Sequence, residues 1–434
     1  LSEQITLPFP ADRSVGELQQ YDDVAARWRP LGRARGAVVV PGDARVAFVA
    51  ERRRSTALEF LDALPVEPFV RIGCGGSPLR AGDAQRLARF AWLSELDLDG
   101  SAVADDDVAA LRPLVNLAEL RLGGARAGDD ALASLDFPLL RRLDLDHSAV
   151  EHGVAYLTRL PRLEMLDLAA TSVSDASISA LSDLPLLHWV ALAYCGVGPT
   201  SLCALGHVAG LREVFLNGLS IEPSVTAALS GLGALRLLDL SGTDTTSAAV
   251  VPLSRAAALV KLRLSATDVD DVALPWLEPV QTLESLWLDD TGVGDAGMPS
   301  IAAIHSLREL VVDGTDVSAA GIATLAALPY LRRLDVARTD LGDEVVDALL
   351  ALPALAEVDL TGTSLTDAGL ARLAAHPTLR SVRVAGTAVT RRGVRDLLRA
   401  VPEMTFPDLG LAPEPEVPAQ TPPSESAASE RSVP

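Results

Sequence analysis

LAEVDLTGTSLTDAGLARLAAHPT, residues 355–378, decides the fold of this chain. Its opening places Leu355, Val358 and Leu360 in an L-x-x-L-x-L pattern, and that pattern returns every 23 or 24 residues. Working backward it runs through Leu331-Leu334-Val336, Leu307-Leu310-Val312, Leu283-Leu286-Leu288 and Leu259-Leu262-Leu264 as far as Leu93-Leu96-Leu98. Forward it reaches Leu379-Val382-Val384, which makes thirteen copies; Phe69-Ile72-Cys74 is a degenerate fourteenth that starts the array. Periodicity of this kind means one small unit that cannot bury its own apolar side chains and must stack on its neighbours.

Within a copy the L-x-L step sends alternate side chains to opposite faces of a short strand, leucines one way and variable residues the other. Eight residues after the first leucine comes a small hydroxyl or thiol in nearly every copy: Ser77, Ser101, Ser148, Thr171, Cys195, Thr243, Thr267, Thr291, Thr315, Thr339, Thr363 and Thr387. Such a column, where the chain leaves its strand, is expected to hydrogen-bond buried backbone groups of the adjacent coil. Asp367 and Asp343 stand before helical runs and read as N-caps. Leu-Pro steps such as Leu328-Pro329 and Leu352-Pro353 close those runs, because proline cannot continue a helix. Each unit is therefore strand, turn, short helix, turn.

Stacked, the units give an α/β solenoid with a parallel sheet inside and short helices outside, about 14 repeats long, its strands spanning an arc of roughly 65 Å at the usual inter-strand spacing. On these residues the chain resembles leucine-rich-repeat proteins of the ribonuclease-inhibitor-like, horseshoe kind. The turn Gly362-Thr363-Ser364-Leu365-Thr366-Asp367-Ala368-Gly369-Leu370 is similar to 24-residue repeats of many bacterial proteins and of the substrate-binding halves of F-box proteins. The resemblance implies a concave parallel sheet, convex helices and a binding scaffold, and leaves the partner open, because relatives share the scaffold and differ in what they hold.

The net charge is -21, from 37 basic and 58 acidic residues, which argues against a nucleic-acid backbone or an anionic bilayer as the main partner. Lys261 is the only lysine and Asn116 and Asn217 the only asparagines in a chain rich in Arg, Ala, Asp and Gly, the composition of a GC-rich, bacterial genome. Three cysteines, Cys74, Cys195 and Cys203, have no metal-type spacing and read as small core residues. Their sparse use favours a reducing compartment such as the cytoplasm. The chain opens on Leu1 rather than Met, so export with a removed leader stays open. No apolar stretch approaches the roughly 18 residues of a membrane span.

Residues 1–68 fall outside the repeat and read as an N-terminal cap: a helix over Leu18 to Leu31, a hairpin of 37–40 and 46–49 around Pro41-Gly42-Asp43, and a helix over Ser55 to Leu64. Leu7-Pro8 followed by Val24-Ala25-Ala26-Arg27-Trp28 also resembles an F-box, at too short a spacing. The solenoid is expected over 69–402 and a closing segment over 403–411. The tail, 412–434, rich in Pro, Ser and Glu, is expected to be disordered.

Two columns of variable residues should line the inner face. One runs Asp97, Arg121, Asp144, Asp167, Ala191, Phe215, Asp239, Arg263, Trp287, Val311, Asp335, Asp359, Arg383; beside it stand Trp189, Glu213, Leu237, Lys261, Ser285 and Glu309. Aromatics are only 4% of the chain, yet Trp189, Phe215 and Trp287 fall here, with Tyr194 in the adjoining turn. Large rigid rings are the usual anchors of an interface. Asp239, Asp289, Asp290 and Asp313 are expected to form a negative rim around them, with Arg263 and Lys261 as isolated positive points. That pattern suits a protein or peptide with a basic, partly apolar surface. The alternative is that the rings pack on neighbouring side chains; on the flanks, alternating Asp and Arg read as ion pairs between rungs.

Catalysis needs unlike groups fixed at one place, and the six histidines are scattered over different copies. His147 beside Asp146 and Asp144 is the one constellation that could act as acid and base or bind a metal, and it lacks a second histidine. Gly73-Cys74-Gly75-Gly76 has no following Gly-Lys-Ser/Thr and so is no phosphate loop. No cofactor is implied. Two readings remain: a non-catalytic scaffold binding a protein on its concave face, or an adaptor that delivers a bound protein to an enzyme.

Overall fold

The computed structural model describes residues 4–51, 58–76 and 78–407. Ser77, Ser55 and the tail 412–434 lie outside those residues.

The inner sheet begins in the cap. Strands β1 (Gln4–Pro8), β2 (Gly16–Asp22), β3 (Arg27–Arg33), β4 (Ala37–Pro41) and β5 (Val46–Ala50) lead into β6 (Phe69–Gly73). β1 and β4 form an antiparallel pair of their own. β2 lies between β3 and β5, antiparallel to both, and β5 runs parallel to β6, so the cap's sheet passes directly into the solenoid's.

The helix expected over Leu18 to Leu31 is thus corrected to a hairpin. Asp22 Oδ1 accepts from the N–H groups of Val24 (3.0 Å) and Ala25 (2.9 Å), and Ala26 takes φ 49°, which reverses the chain. The apolar spacing imitated a helix, but Val24 is fully exposed and Pro30 sits in the edge strand, where a missing N–H costs nothing. The hairpin expected around Pro41 is also corrected: both strands exist, but β4 pairs with β1 and β5 with β2 and β6. Of the third element, residues 58–63 form a 3-10 helix. Its Phe60 packs with Phe9 and Phe48, the three ring centroids 5.5 to 6.2 Å apart.

Beyond β6 come thirteen three-residue strands: Glu95–Asp97 (β7), Glu119–Arg121 (β8), Arg142–Asp144 (β9), Met165–Asp167 (β10), Trp189–Ala191 (β11), Glu213–Phe215 (β12), Leu237–Asp239 (β13), Lys261–Arg263 (β14), Ser285–Trp287 (β15), Glu309–Val311 (β16), Arg333–Asp335 (β17), Glu357–Asp359 (β18) and Ser381–Arg383 (β19). Each is parallel to the next and in register one repeat apart, as in Leu238↔Leu262 and Leu334↔Val358. The central residue of every one of these strands is buried, 0 to 2% exposed, and the residues on either side face the concave surface. Short α- and 3-10 helices, such as Asp271–Trp276 and Asp367–Leu373, line the convex side. At the far end the helix Arg391–Ala400 buries Val394 and Leu397, and Thr405 adds one bridge to Ser381 over buried Met404.

Two hydrogen-bond ladders run along the stack of coils, and both differ in detail from the sequence expectation. The threonine column bonds within its own coil: Thr243, Thr267, Thr315 and Thr339 donate to the carbonyl three residues back at 2.6 Å. Among the described residues of the column only Ser101 (to Cys74 O, 3.1 Å) and Cys195 (to Leu168 O, 3.1 Å) bond to a carbonyl of the preceding coil. A threonine Oγ1 is one torsion from its own backbone, so the local bond forms first.

The acidic residues read as N-caps do the longer-range work. Thr366, not Asp367, caps its helix, accepting from Ala368 N at 3.2 Å. Asp343 Oδ1 accepts from Thr366 N (2.8 Å) and its Oδ2 from Thr366 Oγ1 (2.6 Å), one coil on; Asp367 treats Thr390 the same way at 2.7 Å. This carboxylate explains the glycine of the Asp-Ala-Gly-Leu turn. A Cβ at Gly369 would lie 2.2 Å from Asp343 Oδ1, and one at Gly393 2.0 Å from Asp367 Oδ1.

Candidate interaction face of the inner sheet

Trp189 and Phe215 meet on the concave surface, ring centroids 5.1 Å apart with planes at 42°. They are not opposite one another: Trp189 faces Glu213 and Phe215 faces Ala191. Ala191 is small and buried, so the two rings lean diagonally across that rung. Three strands on, the Arg263 guanidinium carbon lies 4.4 Å from the centroid of Trp287. Trp287 Nε1 donates to Ser285 Oγ at 3.1 Å, and Ser285 Oγ donates to Glu309 Oε2 at 2.8 Å. The three rings lie on the inner face, half-buried and packed on neighbours.

The rim of charges differs from the expectation. Asp239 is 4% exposed: its Oδ1 accepts from Asn217 Nδ2 (2.8 Å) and Ser241 N (3.0 Å), and its Oδ2 from Arg263 Nη1 (3.1 Å). Arg263 is therefore no isolated positive point, because register places it directly beside Asp239 and Trp287. Asp289 accepts a hydrogen bond from Ser265. Asp313 receives Arg338 through Nε (2.7 Å) and Nη2 (2.8 Å), and the same Nη2 reaches Asp290 at 3.0 Å. Those two carboxylates raise the pKa of Arg338 above its ordinary value. Asp239, Asp290 and Asp313 are thus paired with arginines of the same chain. Lys261 is exposed, and among the described residues its ammonium has no ion pair or hydrogen bond.

Tyr194 stands apart from the other rings. It occupies a column two residues past the last leucine of each copy, where the backbone is left-handed and glycine is usual, as at Gly100, Gly242 and Gly386. Tyr194 has φ 59°, is 68% exposed, and its ring covers Gly218, where a Cβ would come within 2.4 Å of it. His147, Asp290 and Arg338 share that column. Arg338 as a clamp was not read from the sequence, although a long charged side chain interrupting a glycine column was a usable signal.

Toward the cap the inner face is acidic. Burial pushes Asp144 up to about 7, with Asp167, Asp99 and Asp146 adding to it, and raises Asp167 and Asp99 as well. Beside them an open trough of 510 Å³ has a floor of Gly75, Gly76, Gly100, Gly123 and Gly124 and walls of Asp99, Asp146 and His147. His147 Nδ1 lies 2.9 Å from Asp146 Oδ2. Among the described residues no three His, Cys, Asp or Glu side chains are grouped to hold a metal ion. His376 is structural: its Nε2 donates to Leu352 O at 3.0 Å while Nδ1 accepts from Leu379 N at 3.2 Å, and burial lowers its pKa. Burial pushes the Cys74 thiol up to about 12, so it stays protonated. No described helix is long and apolar enough to cross a membrane.

No protein-family model matches this chain, and no curated protein matches it in sequence. Solved structures do. An internalin, InlF, from Listeria monocytogenes superposes with a TM-score of 0.55 at 21% identity, over 77% of this chain and 89% of the internalin. A leucine-rich-repeat protein from Leptospira interrogans does so with a TM-score of 0.56 at 15% identity, over 78% of this chain and 89% of that one. Identities this low speak for the fold alone. Taken with the in-register ladder of coils, they give this chain the leucine-rich-repeat fold, an α/β solenoid of the horseshoe type.

Proposed function

We propose that the chain is a non-catalytic scaffold that holds a protein or peptide on its concave face, centred on β11 to β15. The observation that carries this is a local change of character. Over those five strands the inner face bears Trp189, Phe215, Leu237 and Trp287 with only two acidic and two basic side chains. The same face over β7 to β10 has five acidic and two basic side chains. A neutral, aromatic centre inside a chain of charge -21 is where desolvation is cheapest and rigid contact area largest. The partner is partly apolar where it touches this centre, and the acidic flanks favour basic groups around that contact.

The test is affinity purification from the source organism with the wild-type chain and with Trp189→Ala/Phe215→Ala/Trp287→Ala. The expected result is a partner captured by the first and lost by the second while the far-ultraviolet spectrum is unchanged. Equal capture by both would remove this site. Co-purification of an enzyme together with the captured protein would instead favour the adaptor reading, for which the residues that resembled an F-box, now in β1 and the β2–β3 hairpin, offer no specific support.

A further inference from the structure

We infer that Lys261 is the point at which this centre receives an anionic side chain: a carboxylate on a polypeptide segment whose flanking apolar residues rest on Trp189 and Phe215 to one side and on Trp287 to the other. The inference rests on the concave-face reading above and adds the chemistry of the contact.

Every arginine on strands β6 to β19 has a carboxylate of this chain within reach. Arg71 lies 3.4 Å from Glu95, Arg121 2.5 Å from Glu119, Arg142 3.9 Å from Glu119, Arg263 3.1 Å from Asp239, Arg333 3.4 Å from Glu309 and Arg383 3.2 Å from Asp359. Lys261 breaks that rule. Its cross-strand neighbours are Leu237 and Ser285, neither of them an anion, and the Ser285 hydroxyl is already engaged with Glu309 and Trp287. It is also the only lysine among 37 basic residues. An ammonium on a flexible stem is a compact point charge that can reach up from the sheet, whereas the guanidinium of Arg263 is held 4.4 Å from the Trp287 ring centroid and is spent on Asp239.

The strand spacing gives the recognised segment a length. Phe215 on β12 and Trp287 on β15 are three strands apart, roughly 14 Å, and Lys261 on β14 stands about 10 Å from the first and 5 Å from the second. An extended segment crossing the strands at about 3.4 Å per residue would place its carboxylate about three residues from one apolar anchor and one or two from the other. Leu237 forms the floor between them.

The experiment pans a phage-displayed library of random twelve-residue peptides on the full chain, on Lys261→Glu, on Lys261→Arg and on Trp189→Ala/Phe215→Ala. Lys261 is exposed, so its variants are expected to fold. The wild type should enrich peptides with Asp or Glu at the stated distances from aliphatic or aromatic residues. A synthetic peptide from that set should bind Lys261→Glu at least about ten-fold more weakly, keep its affinity for Lys261→Arg, and lose it when its own acidic residue becomes the amide. Peptides that lack an acidic residue, or that bind Lys261→Glu as well as wild type while being lost by the aromatic double variant, would overturn the role of Lys261 and leave the concave face standing. Peptides indifferent to both changes, or no enrichment at all, would overturn both.

Discussion

Arg263 and Trp287, directly opposite each other on neighbouring strands, hold one another in place: the guanidinium carbon sits 4.4 Å from the ring centroid while Nη1 donates to Asp239 at 3.1 Å. Removing Arg263 does two things at once. It takes the cation from the ring, worth about 0.5–2 kcal/mol, and it leaves a buried carboxylate without its counterion, a loss of the same order or larger. Arg263→Ala should therefore destabilise β13 to β15 by roughly 2–3 kcal/mol, seen as faster amide exchange in those strands. Arg263→Lys should recover less than half of it, because an ammonium cannot both lie on the ring and reach Asp239. Exchange rates indistinguishable from wild type in both variants would show that the pair carries no structural load.

Asp343 and Gly369 give a second prediction, of unequal size in two backgrounds. Ala is the better helix former, by about 0.8–1 kcal/mol, yet at Gly369 its Cβ would displace the carboxylate that holds Thr366. Gly369→Ala should destabilise the wild type by about 1–2 kcal/mol, since charge-assisted bonds are each worth roughly 1.5–3. In the Asp343→Ala background no carboxylate is left to displace and only Leu365 Cδ1, 2.7 Å from where the Cβ would lie, still has to give, so the same change should cost clearly less. Urea unfolding of the four proteins measures the coupling; additive effects would sink the steric account of the repeat's glycine.

The ladder itself could be read from the sequence because it rests on geometry that repeats: alternate residues on a strand face opposite ways, and thirteen copies give the same answer. The inner columns followed for the same reason, so Trp189, Phe215 and Trp287 were placed on the correct face. Depth was not legible. How far a ring leans depends on the size of its diagonal neighbour, here Ala191, and on partners such as Ser285 whose role emerges only with register. The cap misled because Leu18 to Leu31 has helical spacing, while its strands are decided by pairing with residues as distant as Ala50. Arg338 bridging Asp290, 48 residues away, is a product of one long side chain on a left-handed backbone, signalled in the sequence only by its interruption of the glycine column.

The left-handed column makes a third prediction. Ala266 has φ 52° and is exposed, so its methyl gains no packing while its backbone conformation costs an L-residue about 1–2 kcal/mol. Ala266→Gly should raise stability by about 0.5–1 kcal/mol once the greater freedom of glycine in the unfolded chain is allowed for. Tyr194→Gly should gain less, because the ring that covers Gly218 is lost with the strain. A urea midpoint for Ala266→Gly below that of wild type would mean the turn is relaxed as it stands.

The acidic flank makes stability depend on pH in an unusual direction. Burial, with Asp167, Asp99 and Asp146 nearby, pushes Asp144 up to about 7, and burial with Asp359 and Asp313 pushes Asp335 up to about 6. For a carboxyl whose folded pKa lies above its unfolded value near 3.9, the folded chain binds the proton more tightly. That contribution is complete below about pH 4 and is lost as the pH rises through the folded values, so these two groups make stability fall between about pH 4 and 7. His376, whose pKa burial lowers, works the other way: its contribution is complete above about 6.5 and lost in more acid solution. Comparing wild type with Asp144→Asn removes His376 from the difference, and Asn can still accept the Asp146 N–H that Asp144 holds at 3.2 Å. Melting temperatures taken at about pH 5, 6, 7 and 8 should show Asp144→Asn gaining on wild type as the pH rises and levelling off above about 7. A constant offset across the series would mean that Asp144 is ionised throughout and that its neighbours do not repel it.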